Sequence, residues 1–221
     1  MLIQNRSTSI IRSVCVYCGS GPGYDPIYAQ VATQLGAIFA KNNVGLTYGG
    51  GGLGLMGAIA KSVVANGGQV KGFIPGHLME REKPDIPGVD LTATLDFHDR
   101  KMSFFNNADA FVALPGGCGT LEEVVEQLTW VQVGRHNKPI LFLNVKGFWD
   151  PLFYLFDHMR EIGFIRPGLT INPLIADYAE EVLPMLTGVL QSRCPSNGKG
   201  HGNCFDPSQL ALFGEESATA H

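Results

Sequence analysis

Residues 115–123 read Pro115-Gly116-Gly117-Cys118-Gly119-Thr120-Leu121-Glu122-Glu123 and are the most informative stretch of this chain. An apolar run at 110–114 precedes them, and Val124, Leu128 and Val131 follow at the spacing of a buried helix face. Glycines let backbone N–H groups approach an anion, and a helix start adds partial positive charge. The stretch therefore predicts a strand, a phosphate-binding turn and a helix. Phosphate binding gives no reason for the carboxylate of Glu123.

Strand and helix patterns alternate along the rest of the chain. Strands are predicted at 13–18, 44–48, 70–74, 92–95, 110–114, 139–143 and 174–176, and helices at 25–42, 53–66, 100–108, 120–133, 151–162 and 178–190. A polar loop is predicted at 75–91. The alternation predicts an α/β fold, in which helices cover both faces of a mostly parallel sheet. Ligands of such sheets bind beyond the carboxyl ends of the strands, where two more glycine turns, 19–23 and 49–57, also fall.

Length and composition limit the class of protein. The 221 residues are 45% hydrophobic, which suits one domain with a sizeable core. The net charge is -4 and no run of lysine or arginine occurs, so a nucleic-acid partner is not expected. No apolar stretch reaches the roughly 18 residues of a membrane span, and residues 1–12 lack the apolar core of a secretory signal. Because the cysteines are few, scattered and odd in number, we expect reduced thiols and a cytoplasmic location.

The composition divides the chain into three segments. Residues 1–12 are predicted to be an N-terminal extension, 13–191 the folded domain, and 192–221 a flexible C-terminal tail that lacks periodicity and aliphatic content. Cys194, His201 and Cys204 lie in that tail, but their spacing matches no zinc pattern. No metal site is expected.

Two further motifs are interpreted as structural. Cys15 and Cys18 have the CxxC spacing, but on an apolar strand they would point to opposite faces, so a redox pair is not expected. Residues 52–57 match GxGxxG, yet the next strand ends in Pro75-Gly76-His77 and not in the acidic residue that a dinucleotide site needs. No cofactor is therefore predicted, and a mononucleotide or sugar phosphate fits the glycine turns better than NAD.

Glu123 has two compatible interpretations. Thr120 and Glu123 have the spacing of a capping box, which would give the glutamate a structural role. In the first helical turn the dipole would also keep the carboxylate ionised, which suits a base, a nucleophile or a stabiliser of positive charge. Arg100 and Lys101 are either a solvated pair at a helix start or two cations that need an anionic partner. A phosphate or Glu123 would serve as that partner.

Motifs in the same order along residues 13–190 resemble the Lonely Guy (LOG) family of cytokinin riboside 5′-monophosphate phosphoribohydrolases. The family motif PGGxGTxxE matches 115–123, and further matches lie at 16–20, 48–51, 54–57, 74–82, 100–101, 108–111 and 129–130. The resemblance implies a single-domain, Rossmann-like, three-layer α/β/α fold. It also implies hydrolysis of the N-glycosidic bond of a nucleoside 5′-monophosphate to a free base and ribose 5-phosphate.

The resemblance assigns catalysis to Arg100 and Glu123. Candidate substrate contacts come from the family's positions and from the glycine turns: Ser20, Gly50, Gly51, Glu82, Lys101, Gly116, Gly117, Cys118, Gly119, Thr120, Leu121, Glu122 and Thr129. We expect backbone amides of 117–121 to hold the 5′-phosphate, and the ionised Glu123 to stabilise charge on the ribose or direct water. The residues do not identify an acid for the leaving base. The family further implies a homodimer whose interface completes the active site.

The chain departs from the family at Cys118, the variable position of the motif, and at 102–105, a stretch expected near the base. A different class of function stays open at this point. Phosphate-binding glycines would equally serve a non-catalytic nucleotide or molybdenum-cofactor carrier on the same fold. The pairing of Arg100 with Glu123 favours the hydrolase, because a carrier does not need both residues.

Overall fold

The computed structural model describes residues 11–79, 85–166 and 172–193. Its strands are β1 (Ser13–Tyr17), β2 (Gly45–Tyr48), β3 (Val70–Pro75), β4 (Val89–Thr94), β5 (Ala110–Ala113), β6 (Ile140–Leu143) and β7 (Leu174–Ala176). Its α-helices are α1 (Ile27–Lys41), α2 (Gly54–Ala65), α3 (Phe97–Asn107), α4 (Cys118–Gln132), α5 (Asp150–Glu161) and α6 (Ala179–Arg193). The predicted alternation of strands and helices is confirmed.

The seven described strands form one sheet in the order β4-β3-β2-β1-β5-β6-β7, and every pairing is parallel. The central strand β1 pairs with β2 on one side and with β5 on the other, so Val14 lies opposite both Leu46 and Ala110. The chain therefore reverses its direction of winding between β1 and β5, where open α/β sheets hold their ligands. The predicted loop at 75–91 is wrong at its end. Strand β4 already begins at Val89, and its half-exposed edge position gave only a weak apolar pattern.

The core lies on both faces of this sheet, because alternate residues of each strand point to opposite sides. Val14 and Val16 pack in the cluster formed with α1, α2 and α6, while Cys15 and Tyr17 pack in the cluster formed with α3, α4 and α5. Cys15 and Cys18 belong to different clusters, which confirms that their side chains point to opposite faces of the sheet. Ile11, within the predicted extension, is buried in the first cluster.

Two helices begin earlier in the chain than the sequence predicts. Helix α3 starts at Phe97 and not at Arg100, because Asp96 accepts a hydrogen bond from Asp99 N (2.8 Å) and Asp99 accepts one from Leu95 N (3.1 Å). This reciprocal arrangement satisfies backbone donors at the helix start. The partial positive charge of a helix is greatest at its first residues, and Arg100 and Lys101 thus lie beyond them, at the end of the first turn.

Helix α4 starts at Cys118, with Gly117 as its cap and no side-chain hydrogen bond at that cap. The predicted capping box of Thr120 and Glu123 is therefore wrong, since a glycine cap moves the helix start back by two residues. Glu123 lies in the second turn and not in the first. A capping box therefore does not explain why residue 123 is a glutamate.

Glycine turns meet at the carboxyl edge of the sheet. Gly19 N donates to Pro115 O over 3.0 Å, which joins the loop after β1 to the loop after β5. Gly54 opens α2 with a φ of +57°, and a Cβ there would overlap the backbone of Ser20. Glycine is required at residue 54 by both its conformation and this close approach. In the described part of the chain, no helix has the length and apolar character to cross a membrane.

Candidate active site

The loops after β1, β2 and β5 converge beside the start of α4, where Gly19 N donates to Pro115 O and Leu55 N donates to Gly19 O. Open α/β sheets hold their ligands in the crevice at this point. The first N–H groups of a helix have no acceptor inside the helix, so those of α4 are available to a ligand. Gly117, Cys118 and Gly119 are exposed, and the space around Gly117 and Gly119 is open. An anion of the size of phosphate fits this combination of exposed amides and a helix N-terminus.

Arg100 is held in the crevice by contacts from β3, from the loop after β2 and from α4. Its Nε donates to Phe73 O over 3.0 Å, and its Nη2 donates to Gly49 O over 3.2 Å. Its Nη1 lies 3.1 Å from Glu123 Oε1, and both side chains are mostly buried. A Cβ at Gly49 would overlap the guanidinium, so this glycine leaves the space that Arg100 occupies. The predicted partnership of Arg100 with Glu123 is confirmed.

The environment of Glu123 raises its pKa to about 7. Burial is the largest cause; Arg100 and Lys101 oppose the rise, and the neighbouring carboxylates Glu122 and Glu126 add to it. The expectation that the helix dipole keeps Glu123 fully ionised is wrong, because this residue lies in the second turn and is buried. Near neutral pH both protonation states are populated, so this carboxyl is able to give or accept a proton.

Lys101 forms the second ion pair of the site. Its Nζ binds Glu122 Oε1 and lies 3.2 Å from Glu126 Oε1. Burial alone would lower the pKa of Lys101, but the hydrogen bonds to the two carboxylates raise it. Lys101 therefore stays charged and offsets part of the negative charge around Glu123. The sequence analysis missed Glu126, although it lies one helical turn after Glu122 and so shares its face of α4.

A groove of about 660 Å³ runs beside this site between α4 and α5. Cys118, Leu121 and Glu122 lie at its end near the crevice, and Thr129 lies farther along α4. Apolar side chains of α5 form the opposite wall: Leu152, Leu155, Phe156 and Met159. Within the described ranges, no group of three or more histidine, cysteine, aspartate or glutamate residues is arranged to hold a metal ion.

Residues 56–186 match a family model described as "Possible lysine decarboxylase". A cytokinin riboside 5′-monophosphate phosphoribohydrolase of Oryza sativa subsp. japonica is 45% identical to this chain over 175 residues, covering 79% of the chain and 72% of the relative. This chain belongs to the LOG family. An enzyme of the same name from Arabidopsis thaliana is 41% identical over 178 residues, covering 80% of the chain and 84% of that LOG protein.

Solved structures share the fold of this LOG chain at low sequence identity. A molybdenum cofactor binding protein of Rippkaea orientalis aligns with a TM-score of 0.59 and 21% identity, covering 80% of this chain and 96% of that one. A Moco carrier protein of Chlamydomonas reinhardtii aligns with a TM-score of 0.58 and 21% identity, covering 81% and 98%. These likenesses support the Rossmann-like fold predicted from the sequence.

The structure brings most of the predicted LOG site together. Arg100 pairs with Glu123 and Lys101 with Glu122, on the helix that begins at the exposed residues 117–119. Gly50 and Gly51 are buried beside Gly49, whose carbonyl accepts from Arg100, and Ser20 lies against Gly54. Thr129 lies apart from them, since seven residues of helix separate it from Glu122, which is about 10 Å along the axis. Glu82 lies outside the described residues, as does the tail from residue 194.

Proposed function

We propose that this protein hydrolyses the N-glycosidic bond of cytokinin riboside 5′-monophosphates to a free base and ribose 5-phosphate. The observation that carries the proposal is the buried pair of Arg100 and Glu123 beside an exposed, glycine-capped helix start. The named relatives, at 41% and 45% identity, support the same activity and substrate class. AMP is a second candidate substrate, because it shares the ribose 5-phosphate.

The substrate's phosphate is assigned to the start of α4. Backbone amides of 117–121 hold it, and Ser20, Gly50, Gly51 and Gly116 shape the adjoining turns. Lys101, Glu122, Glu82 and Thr129 complete the proposed substrate contacts. A phosphate at this helix start puts the ribose next to Glu123, one turn farther along α4.

Glu123 performs the proton transfers in this proposal. Departure of the base builds positive charge on the anomeric carbon, as in glycoside hydrolysis, and the ionised carboxylate stabilises it. The C–N bond breaks with its electron pair on the base, and the oxygen of a water forms the new C–O bond at the anomeric carbon as the base leaves. One proton of that water goes to Glu123, which passes it to the base. A carboxyl with a pKa of about 7 is suited to both steps.

We also propose a homodimer whose interface completes the active site. Tyr154, Leu155 and Phe164 expose 72%, 46% and 83% of their surface on and after α5, next to the groove that contains Thr129. An exposed apolar patch of this kind favours association. Light scattering during size-exclusion chromatography gives the mass directly, and Leu155→Lys is expected to shift it to that of a monomer. We place the protein in the reducing cytoplasm, in keeping with the free thiols of Cys15, Cys18 and Cys118.

The test is product analysis with a matched set of nucleotides. Purified protein is incubated with isopentenyladenine riboside 5′-monophosphate, with AMP, and with the corresponding nucleosides that lack phosphate. We expect equal amounts of free base and ribose 5-phosphate from the monophosphates and much slower release from the nucleosides. Binding of both monophosphates without cleavage of either would contradict the proposal and favour a carrier. The ratio of the two turnover rates also gives the preferred base.

A further inference from the structure

Phe104 lies directly under the guanidinium of Arg100. The centre of its ring is 5.0 Å from Arg100 Cζ, and the side chain is only 1% exposed. The two residues are four apart in α3, so they lie on the same face of that helix. A cation that rests on an aromatic face is attracted by the negative charge of that face, and more strongly where water is excluded.

The ring of Phe104 is itself fixed by two other rings. Tyr17 of β1 packs edge-on against it at 5.8 Å between centroids, and Phe73 of β3 does so at 6.0 Å. The backbone of Phe73 also accepts the hydrogen bond from Arg100 Nε. The same strand residue therefore supports both the guanidinium and the ring beneath it.

These contacts surround the guanidinium on several sides. Glu123, Gly49 O and Phe73 O accept from its edge, while the ring of Phe104 covers one face. A covered face leaves less room for water beside the ion pair, and an ion pair is stronger where water is excluded. Among these four contacts the ring is the one that comes from the same helix as Arg100.

We propose that Phe104 is a positioning residue, whose ring holds the Arg100 guanidinium against Glu123 and keeps water away from the pair. The inference rests on the proposed function, in which Arg100 and Glu123 act on the substrate. It extends that function because Phe104 does not touch the substrate and acts through Arg100. Residues 102–105 are expected from the sequence to lie near the base. Phe104, one of them, acts instead from beneath the ion pair of Arg100 and Glu123.

The charge of Glu123 reports on this arrangement. The charged groups that act on it are those of α3 and α4: Arg100, Lys101, Glu122 and Glu126. Cys15 and Tyr17 of β1 and Cys18 just after it also feel the charge of Glu123, and burial raises the pKa of each, so they are uncharged near neutral pH. Loss of the Phe104 ring therefore acts on Glu123 through the position of Arg100.

The experiment is an NMR titration of the Glu123 carboxyl carbon in free protein labelled with ¹³C-glutamate. The Glu123→Gln spectrum assigns the signal. In Phe104→Leu, leucine keeps the space filled while the ring is lost, so we expect the Glu123 midpoint to rise by about half a pH unit. Phe104→Met is the second variant, and its flexible side chain fills the same space with the same expected rise.

Phe111→Leu is the matched control. This residue is a fully buried phenylalanine that stacks on Tyr17, at 5.8 Å, and has no cation–π contact with Arg100. We expect its thermal stability to fall as in Phe104→Leu, with the Glu123 midpoint unchanged. Midpoints that coincide for wild type and both Phe104 variants, or an equal rise in the control, would overturn the proposal.

Steady-state kinetics provides the second readout. With isopentenyladenine riboside 5′-monophosphate we expect kcat of Phe104→Leu to fall about tenfold and KM to stay nearly constant, because a misplaced group affects the reaction more than binding. A rise in KM at constant kcat would place Phe104 in binding and contradict its positioning role. The titration needs no substrate. A protein without hydrolase activity would refute the proposed function, while the titration would still decide whether Phe104 positions Arg100.

Discussion

Replacing Glu123 with glutamine is expected to change the pH dependence of stability, in favour of the variant as the pH rises. Burial raises the pKa of this carboxyl from 4.5 to about 7, so the folded state binds its proton more tightly than the unfolded chain does. The contribution of Glu123 to the free energy of unfolding is thus fully present below about pH 4.5 and is lost as the pH rises through about 7. A shift of this size corresponds to about 3 kcal/mol. Glutamine has a similar shape, does not titrate, and is free of this loss.

The assay is urea unfolding of wild type and Glu123→Gln at a series of pH values from about 5 to 8. Other titrating groups are common to both proteins, so their effects cancel in the difference between the two free energies of unfolding. We expect that difference to change by about 2 kcal/mol in favour of the variant across this range. A difference that stays constant with pH would refute the raised pKa and the proton-transfer role built on it.

Three further substitutions test separate parts of the structure. Gly54→Ala is expected to lose more than about 2 kcal/mol in thermal unfolding, because residue 54 has a positive φ and the backbone of a neighbouring loop lies against it; unchanged stability would contradict this turn. Glu126→Gln removes a negative charge that raises the pKa of Glu123, so the limb of the pH–rate profile that reports Glu123 is expected to move to lower pH. A move to higher pH would contradict this effect of Glu126 on Glu123. Burial lowers the pKa of His136 to about 4, so its stabilisation, present above about pH 6.5, is lost as the pH falls through 4. His136→Asn retains an acceptor for Lys138 N and does not titrate, so we expect the variant to be spared about 3 kcal/mol of the free energy of unfolding that the wild type loses in acid. An equal loss in the variant and the wild type would contradict this.

The order of strands and helices was predictable because buried strands and amphipathic helices have different apolar periods. The start of α4 was not, since Thr120 and Glu123 imitate a capping box and the actual cap is a glycine without a side chain. The start of α3 depends on the side chains of Asp96 and Asp99. They accept hydrogen bonds from backbone N–H groups at the helix start, before Arg100 and Lys101.

The candidate site was predictable in its residues and less so in its electrostatics. Arg100 and Glu123 were identified as a pair from the sequence, and 3.1 Å separates their charged atoms. The raised pKa of Glu123 arises from its burial, and burial depends on parts of the fold that are distant along the chain. The spacing of Arg100 and Phe104 in one helix is visible in the sequence, but the rings of Tyr17 and Phe73 that fix Phe104 depend on how α3 packs on β1 and β3.

The most direct test of the hydrolase is a comparison of Glu123→Gln with wild type on isopentenyladenine riboside 5′-monophosphate. Release of free base and ribose 5-phosphate is quantified together, and binding of the nucleotide is measured by calorimetry on the same samples. We predict that the wild type releases both products in equal amounts and that the variant binds the nucleotide but releases them at least about 100-fold more slowly. Turnover by the folded variant at a rate near that of the wild type would contradict the role of Glu123 and with it the proposed reaction.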